Sequence, residues 1–510
     1  MVAGIHKSET GKTQSSNVQL EAWFETLNNL RGYVESPILN PVLRTGDVMS
    51  DSAKIQNNAG DVDAKPGRRF LRPRFGLKSL LAVATLVALF FGFFYPFVRR
   101  QQMEREAIVK LNSLASDESQ FFYDYQNEDE PSEPTTPKWI RRLFGDNIFS
   151  TVTRINLVDG YSIPEGKFED VSKSLAKFHN VEELTVDGWR EETNADFFAR
   201  YPGMKKLSLN NWSNLTDISG LRGMSELESL SFFSTKVGSI EPIAECVHLK
   251  HLDLSYGAVA DVGLLAEMKE LNSLSCILCK HVESLDFLAE LQNLENLLIG
   301  ASDNVRTFDF ALIAKNTNLK FLRIVGFDSI KNLDLLSEFH ELQSMQIFGC
   351  GIKRIPSLNS LKKLHGLSFE SCSSLTDIES LGALPALSHV SIYDCDDIRG
   401  IEMLTQCKRL DSLSVAGCEN IKSFQPVAEM DSLKTLRIES ESITNLDFLK
   451  GTRFFSCELR NCSQLSDLSA LADFEDADVG CSVTLQNCPQ VSPEHVDEIR
   501  EKSVLSINAW

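Results

Sequence analysis

Hydrophobic residues recur along most of this chain in one short pattern, L-x-x-L-x-L, repeated at a nearly constant spacing. Successive copies start 22 or 23 residues apart, with one step of 25, at Met204, Leu227, Leu249, Leu271, Leu294, Leu319, Leu342, Leu364, Leu387, Leu410 and Leu433. The alternation within a copy is typical of a β-strand, so Leu367 and Phe369 should face inward and Ser368 outward. Less regular copies begin near Val152, Val181, Phe454 and Gly480. A period kept over so many copies predicts a repeat architecture.

The second half of each repeat predicts a short return path. In 375-LTDIESLGAL-384 the residues expected to reach the same core are Leu375, Ile378, Leu381 and Leu384. We expect short helical or 3₁₀ turns here, with Asp217 and Asp377 of the T-D-I motif bonding local backbone groups. One repeat cannot bury its apolar face alone, so neighbours must stack and pair their strands about 4.8 Å apart in a parallel sheet.

Cysteine follows the strand at a fixed offset. Seven of the twelve cysteines lie three residues after the last position of the triplet, namely Cys279, Cys350, Cys372, Cys395, Cys418, Cys462 and Cys488. The chain turns inward there, and its backbone carbonyls need donors inside the core. A thiol is a weak donor on a small apolar side chain, which predicts a structural ladder. Disulfides between neighbours are the alternative, but parallel inward-pointing side chains make the torsion difficult, so we expect free thiols.

This pattern resembles the leucine-rich repeat family, whose hallmark is L-x-x-L-x-L-x-x-N/C-x-L, over roughly residues 150–510. The return segments, such as 465-LSDLSALADF-474, are similar to the short-repeat class that includes the bacterial internalins, although cysteine replaces asparagine at most ladder positions. The resemblance implies an α/β-type solenoid. The array should curve, with the parallel sheet on the concave face and the short turns on the convex face.

An apolar segment precedes the repeats. Residues 79–98, SLLAVATLVALFFGFFYPFV, are 20 residues without a charge. At about 1.5 Å per residue such a helix reaches about 30 Å, the thickness of a bilayer core. The segment begins too deep in the chain for a cleaved signal peptide, and no small-x-small site follows it. We predict one transmembrane helix that holds a membrane-anchored protein of bacterial type in a lipid bilayer.

The basic flanks of this segment predict its orientation. The N-terminal flank carries Lys65, Arg68, Arg69, Arg72, Arg74 and Lys78, and the C-terminal flank carries Arg99, Arg100, Arg105 and Lys110. The excess favours a cytoplasmic N-terminus and an extracytoplasmic repeat region. Many reduced cysteines are unusual in an oxidising exterior, and this argues against that orientation unless burial protects the thiols.

These features divide the chain into six expected segments. Residues 1–67 form a polar, disordered tail, and 68–100 hold the transmembrane helix with its basic flanks, the apolar core being 79–98. A helical extension and acidic spacer follow at 101–138, then an N-terminal cap with degenerate repeats at 139–203. The regular repeats occupy 204–453. Degenerate repeats and a C-terminal cap complete the chain at 454–510.

Charge and motifs restrict the chemistry. The formal net charge of −20 is a poor match for nucleic acid, which needs a clustered basic surface. No phosphate-binding, dinucleotide-binding, zinc-protease or nucleophile-elbow motif is present. We therefore predict no catalytic, metal or cofactor site, and no cofactor.

Three groupings are candidate exceptions to that prediction. The motif 276-CILC-279 lacks a second pair of ligands and fits two structural thiols, one on the strand and one on the ladder. His365 and His389 hold near-equivalent places in successive repeats, which fits exposed repeat positions better than a metal pair. Asp396 and Asp397 lie in a turn, where a solvated position is favoured over a catalytic dyad.

The sheet face is the expected binding surface. Large side chains just after the triplet are Phe233, Tyr256, Leu278, Val325, Phe348 and Tyr393. Arg323, Arg437 and Asp253 lie at central outward-facing strand positions and would add polar specificity. Such side chains anchor partners, or else cover one another and only seal the sheet.

The sequence thus predicts noncovalent recognition of a protein partner near a membrane, through the concave surface of the repeats. The partner itself and the oligomeric state are left open. The alternative is a structural or adhesive envelope component that self-associates or binds cell-wall carbohydrate.

Overall fold

The computed structural model describes residues 77–114, 119–126, 133–157, 166–189, 193–474 and 481–509. The predicted tail and the basic residues 68–76 before the apolar helix lie outside these ranges. The chain separates into two compact units. The first contains residues up to 101 together with 134–149, and the second contains 102–133 and 150–510.

The described residues form helices, strands and short 3₁₀ turns. The α-helices α1 to α4 are Leu77–Leu114, Lys138–Phe144, Phe168–Leu175 and Pro493–Lys502. The strands β1 to β19 are Gln120–Tyr123, Val152–Leu157, Glu183–Asp187, Lys206–Asn210, Ser229–Ser231, His251–Asp253, Ser273–Cys276, Asn296–Gly300, Thr307–Asp309, Phe321–Val325, Ser329–Lys331, Ser344–Phe348, Gly366–Glu370, His389–Tyr393, Ser412–Ala416, Thr435–Glu439, Ser456–Arg460, Ser482–Gln486 and Ser506–Ala509. The 3₁₀ turns are Asp196–Arg200, Ser219–Leu221, Glu241–Ile243, Gly263–Glu267, Asp286–Glu290, Phe310–Leu312, Leu333–Glu338, Glu379–Ala383, Glu402–Gln406, Gln425–Glu429, Asp447–Leu449 and Ser469–Asp473.

Seventeen of the strands form one long sheet in the second unit. From β2 onward each strand pairs in parallel with the strand of the next repeat, and only β1 pairs antiparallel, with β2. β9 and β11 form a separate two-stranded parallel sheet, in the 25-residue repeat and the repeat after it. The register aligns equivalent positions of successive repeats, so that Leu367 lies between Met345 and Val390. The predicted solenoid with a long parallel sheet is confirmed.

Burial along the strands follows the predicted alternation. On β13, Leu367 and Phe369 are buried whereas Ser368 between them is partly exposed. The inward residues of all the repeats join one continuous apolar core. The core is thus a column that each added repeat lengthens, because each repeat is covered only by its neighbours.

The return segments complete this column with 3₁₀ turns, as predicted. Leu381 in the turn Glu379–Ala383 is fully buried. Asp377 accepts a hydrogen bond from the Glu379 backbone N–H at 3.0 Å, and Asp217 accepts one from that of Ser219 at 2.8 Å. These carboxylates fix the start of each turn by satisfying a backbone donor that the short helix leaves open.

The N-terminal end of the long sheet is closed by elements that the sequence placed in a linker. Ala107 and Leu111 of α1 are fully buried in the repeat core, and β1 covers the edge of β2. We had expected residues 117–137 to act as a spacer because they are acidic and contain proline. The four-residue strand 120-QFFY-123 is too short to give a strand signal by itself, and it becomes ordered by pairing with β2.

The first unit has its own small apolar cluster. Phe94 of α1 packs there with Ile140 of α2 and with Ile148. The sequence assigned 139–149 to the start of the repeat cap, but the structure groups these residues with the apolar helix. The aromatic side chains decide this, because Phe144 stacks on Phe94 with ring centroids 4.8 Å apart.

Replacement of one core ring tests the inward and outward assignment. Phe369→Ala removes a fully buried side chain from β13 and should lower the free energy of unfolding by about 3–5 kcal/mol. The measurement is denaturant unfolding of the purified chain followed by circular dichroism. Ser368→Ala, the adjacent outward position, should change it by less than about 0.5 kcal/mol. Similar losses in both variants would contradict the assignment.

Candidate functional site

The parallel register arranges the outward side chains of the long sheet in rows. The central row contains Thr185, Ser208, Ser231, Asp253, Ser275, Leu298, Arg323, Gln346, Ser368, Ser391, Ser414, Arg437, Glu458 and Thr484. Most of these side chains are small and carry a hydroxyl. Large side chains beside this row therefore project beyond the small side chains around them. These large side chains lie where the strands end.

The large side chains just after the triplet occupy two rows, although the sequence analysis placed them in a single row. Phe233, Phe348 and Tyr393 are the first residues after the triplet, but Tyr256 and Leu278 are the second residues after it. The second position is a turn with left-handed backbone. It is occupied in other repeats by Gly188, Asn211, Ser234, Gly326, Gly349, Ser371, Asp394, Gly417, Asn461 and Asn487.

Tyr256 and Leu278 are the exceptions in this left-handed row. Their φ angles are 58° and 55°, a region that costs a large L-residue about 1–2 kcal/mol. Glycine has no such cost, and asparagine or aspartate lowers it by bonding the local backbone. Neither side chain is held in a core, since Tyr256 is 51% exposed and Leu278 is 40% exposed. Two neighbouring repeats thus keep an unfavourable backbone and present large side chains to solvent.

Phe233 joins these residues in one exposed patch, which we call the aromatic patch (Phe233, Tyr256 and Leu278). The rings of Phe233 and Tyr256 are 5.0 Å apart at 58°, a tilted arrangement that stabilises an aromatic pair. Gly300 lies beside the third member, because a Cβ on it would be 3.0 Å from the Leu278 backbone nitrogen. The missing side chain at Gly300 leaves room for the Leu278 turn.

Three other candidates lie farther along the sheet. Val325 was expected to face solvent, but it is only 8% exposed, because it lies in register with Phe348 at the end of β10 and β12. The prediction that Val325 belongs to a binding surface is therefore wrong, because the side chain is buried. Phe348 and Tyr393 are partly exposed. The Tyr393 hydroxyl lies 2.6 Å from the Ser414 hydroxyl, which ties the Tyr393 side chain to the next strand.

The charged candidates have neighbours within the sheet. Arg437 lies 3.6 Å from Glu458, and Glu458 also accepts a hydrogen bond of 2.6 Å from Arg460. Asp253 accepts a hydrogen bond from the Ser255 backbone N–H at 2.8 Å. Arg323 is partly exposed between Leu298 and Gln346. The structure brings Phe233, Tyr256 and Leu278 together and leaves the remaining candidates dispersed.

The ladder cysteines are free thiols directed at backbone carbonyls. The Sγ of Cys279 is 3.2 Å from the Leu254 oxygen of the preceding repeat. Cys372 and Cys418 make the same contact with Ile347 and Ile392, at 3.6 and 3.7 Å. Each thiol therefore donates a weak bond to the carbonyl that the inward turn leaves buried.

Burial controls the ionisation of two of these thiols, Cys350 and Cys418. It raises the pKa of Cys350 and Cys418 to about 11, because the charged thiolate is poorly solvated in the core. A hydrogen bond from Cys395 lowers the pKa of Cys372, and the pKa of the last cysteine of the ladder is also lowered. Cys488 is only partly buried, and a hydrogen bond from Cys462 lowers the pKa of Cys488 to about 7.

A second set of core donors was missed in the sequence. Cys246 and Cys407 donate to the carbonyls of Met224 and Leu381, both at 3.3 Å, on the return side of the core. Asn316 bonds the Leu291 carbonyl at 2.9 Å in the same way. All three lie three residues before the next triplet, and this offset was the available signal.

Neither metal ligation nor a cofactor cleft is evident in the described ranges. No group of three or more His, Cys, Asp or Glu is arranged to hold a metal ion among those residues. His389 approaches Asp411 at 3.6 Å whereas His365 faces the Lys363 carbonyl, so the two histidines do not converge. Cys276 is buried in β7 and hydrogen-bonded to Cys279, which raises its pKa.

Comparison with known families agrees with this geometry. Residues 312–422 and 342–466 match the model of the BspA type leucine-rich repeat region, in 6 copies. This match, the stacked strands and the column of core donors agree on a leucine-rich repeat fold. None of the curated sequences compared with the chain matches it.

Several solved structures are similar over much of the chain. An internalin (InlF) of Listeria monocytogenes is 17% identical, with a TM-score of 0.42, over 66% of this chain and 88% of its own. A leucine-rich repeat protein of Leptospira interrogans is 16% identical, with a TM-score of 0.46, over 74% and 93%. The functional domain of InlJ from Listeria monocytogenes, which includes a cysteine ladder, is 14% identical, with a TM-score of 0.34, over 61% and 70%. Likeness this remote carries no information about a ligand.

Thiol alkylation tests the ladder chemistry. Cys488 should be the first ladder cysteine to react with iodoacetamide in the folded chain, and its rate should rise as the pH increases through about 7, because the thiolate is the reactive form. Peptide mass spectrometry after timed labelling measures each site. Cys462→Ala removes the donor and should move the midpoint for Cys488 upward. Equally fast reaction at Cys418, with its pKa of about 11, would contradict the assignment.

Proposed function

We propose that this chain is a membrane-tethered recognition protein whose repeat region binds a protein partner noncovalently through the face of its long sheet. The contact is centred on the aromatic patch, on the side of the sheet that we place on the concave surface of the solenoid. Leucine-rich repeat proteins in general act by recognising other proteins, and no metal-holding cluster is found in the part of this chain that the structure describes.

The left-handed backbone of Tyr256 and Leu278 is the observation that carries this proposal. A stable fold alone would favour glycine or asparagine there, as in most other repeats. Strained conformations that are kept despite their cost are concentrated at functional sites. The cost supports a role for the side chains themselves, and both are exposed.

The composition of the aromatic patch suits a protein interface. Tyrosine supplies a large, rigid contact area with a polar end, and residues of this kind dominate the binding energy of interfaces. The surrounding hydroxyl row, including Ser231 and Ser275, is low and polar. A partner could therefore enclose the patch while the small polar residues form the rim.

The apolar part of α1 supports the tether. Its large side chains are exposed in the structure at Leu80, Leu81, Val83, Leu86, Val87, Leu89, Phe90, Phe93 and Tyr95. In water this surface would be unfavourable, whereas a bilayer would cover it. We place the N-terminus in the cytoplasm and the repeats outside, because the basic excess precedes the helix. Tethering would raise the local concentration of the repeats for a partner at the same membrane.

Asparagine substitutions separate binding from folding. Tyr256→Asn combined with Leu278→Asn introduces a residue that other repeats already carry at this position. The free energy of unfolding should stay the same or rise by up to about 2 kcal/mol, while the amount of partner recovered by proximity labelling should fall about tenfold or more. Denaturant unfolding and quantitative mass spectrometry provide the two readouts.

Ser371→Asn is the matched control, since it changes a distant residue of the same left-handed row. It should leave both stability and the recovered partner unchanged. If proximity labelling recovers the same proteins with the Tyr256/Leu278 double variant as with the wild type, the binding role is refuted. A clear loss of its stability would show instead that the two side chains serve the fold.

Surface biotinylation tests the orientation. An amine reagent that cannot cross membranes should label Lys362 and Lys408 in the repeats of intact cells, and should leave Lys7 and Lys12 unlabelled until the cells are opened. The reason is that the positive-inside rule retains the more basic flank in the cytoplasm. Peptide mass spectrometry identifies the labelled lysines. The reverse pattern would invert the topology.

A further inference from the structure

The first unit presents a second surface that the recognition function does not use. Helix α2, Lys138–Phe144, packs one stripe against α1 through Ile140 and Phe144. The neighbouring stripe is formed by Trp139 and Leu143, which are 57% and 65% exposed. These two residues are four apart and therefore lie one above the other on one helix face.

A basic stripe lies next to this apolar one. Lys138 and Arg142, again four residues apart, are exposed. Arg141 is 3.9 Å from Asp146, which is the one acidic residue of the segment 134–149. The helix thus carries a packed stripe, an exposed apolar stripe and an exposed basic stripe in succession around its axis. This is the order found in helices that lie in the plane of a membrane surface.

The contacts with α1 set the level of α2 relative to the apolar segment. The Phe144 ring lies 4.8 Å from Phe94 and 6.1 Å from Phe90. The Phe149 ring lies 5.0 Å from Phe97. Phe94 and Phe90 precede the end of the segment, at residue 98, by four and eight residues, which is about 6 and 12 Å along a helix. Interfacial helices bury their apolar face about 5–10 Å below the boundary. The depth of Phe94 and Phe90, the residues that Phe144 contacts, is close to this range.

We propose that α2 is an interfacial membrane anchor, seated in the headgroup layer of an anionic bilayer beside the exit of α1. This inference rests on the transmembrane placement proposed above. Trp139 and Leu143 insert at the acyl boundary, where tryptophan is enriched in membrane proteins. Lys138 and Arg142 face the lipid phosphates together with the exposed Arg99 at the end of the segment.

The same geometry assigns α2 a mechanical role. A single apolar helix can shift along its axis in a bilayer, because only the ends of its apolar segment set its depth. A second element packed against Phe90 and Phe94, with its own contact to the headgroups, removes that freedom. The chain therefore leaves the membrane at a defined level, set by α2 and by the α1 residues it contacts.

Tryptophan quenching in vesicles tests the anchor directly. The full-length chain is reconstituted into vesicles of phosphatidylcholine with about 30% phosphatidylglycerol, a composition that supplies a negative surface. Part of the phosphatidylcholine carries bromine near the top of its acyl chains. The difference in emission between the wild type and Trp139→Phe isolates Trp139. This difference signal should fall about twofold or more in brominated vesicles, because Trp139 lies within reach of the bromines.

Charge reversal provides the second arm. Lys138→Glu with Arg142→Glu should abolish most of the quenching of Trp139, since the basic stripe would then be repelled by the lipid phosphates. Lys362→Glu with Arg399→Glu reverses two exposed charges in the repeats and should leave the quenching unchanged. If the reversal at 138 and 142 has no effect on quenching, the headgroup contact is refuted.

Two outcomes distinguish failure of the anchor from failure of the tether. Release of the chain from vesicles by alkaline carbonate would overturn the transmembrane placement and the anchor with it. Retention of the chain with unquenched Trp139 emission would overturn the anchor alone. In that second case, protection of Trp139 from aqueous iodide would indicate that protein, such as a second copy of the chain, covers the stripe.

Discussion

Parallel pairing of each strand with the strand of the next repeat is the constraint on which the rest of this structure depends. A repeat has one apolar strand face and one short return segment, and it can bury them only against its neighbours. In-register pairing aligns every inward residue with its equivalents, as Leu367 lies between Met345 and Val390. It also brings each inward turn close to the preceding repeat. The thiol of one repeat can then reach a carbonyl of the previous one, as Cys279 reaches Leu254.

Because the inward residues build the core, the outward positions are free to vary. The core rows repeat the same few residue types because they share one environment, whereas the outward rows change from one repeat to the next. The left-handed row is informative because its backbone already favours certain residues. Tyr256 and Leu278 oppose that preference without gaining burial, and so mark the place where the fold and the proposed binding role make different demands.

The apolar end of the chain follows another rule in the proposed membrane placement. Lipid replaces water there, and the bilayer covers the exposed apolar side chains. Helix α1 would then serve both environments. Its N-terminal part is apolar and exposed, whereas Ala107 and Leu111 in its last turns are buried in the repeat core. The helix therefore contributes to both compact units.

The sequence by itself determined the repeat, the inward residues, the 3₁₀ returns and the apolar segment, because each depends on local periodicity or composition. It also included the three residues of the aromatic patch among its candidates, since large side chains at outward positions can be read from the register, but it did not group them. Tertiary structure decided what depends on contacts between distant segments. These include the strand at 120–123, the grouping of 139–149 with α1, the burial of Val325 and the backbone strain at Tyr256. The physical reason is that a short or irregular segment has no preference strong enough to fix its state until a neighbour supplies hydrogen bonds or packing.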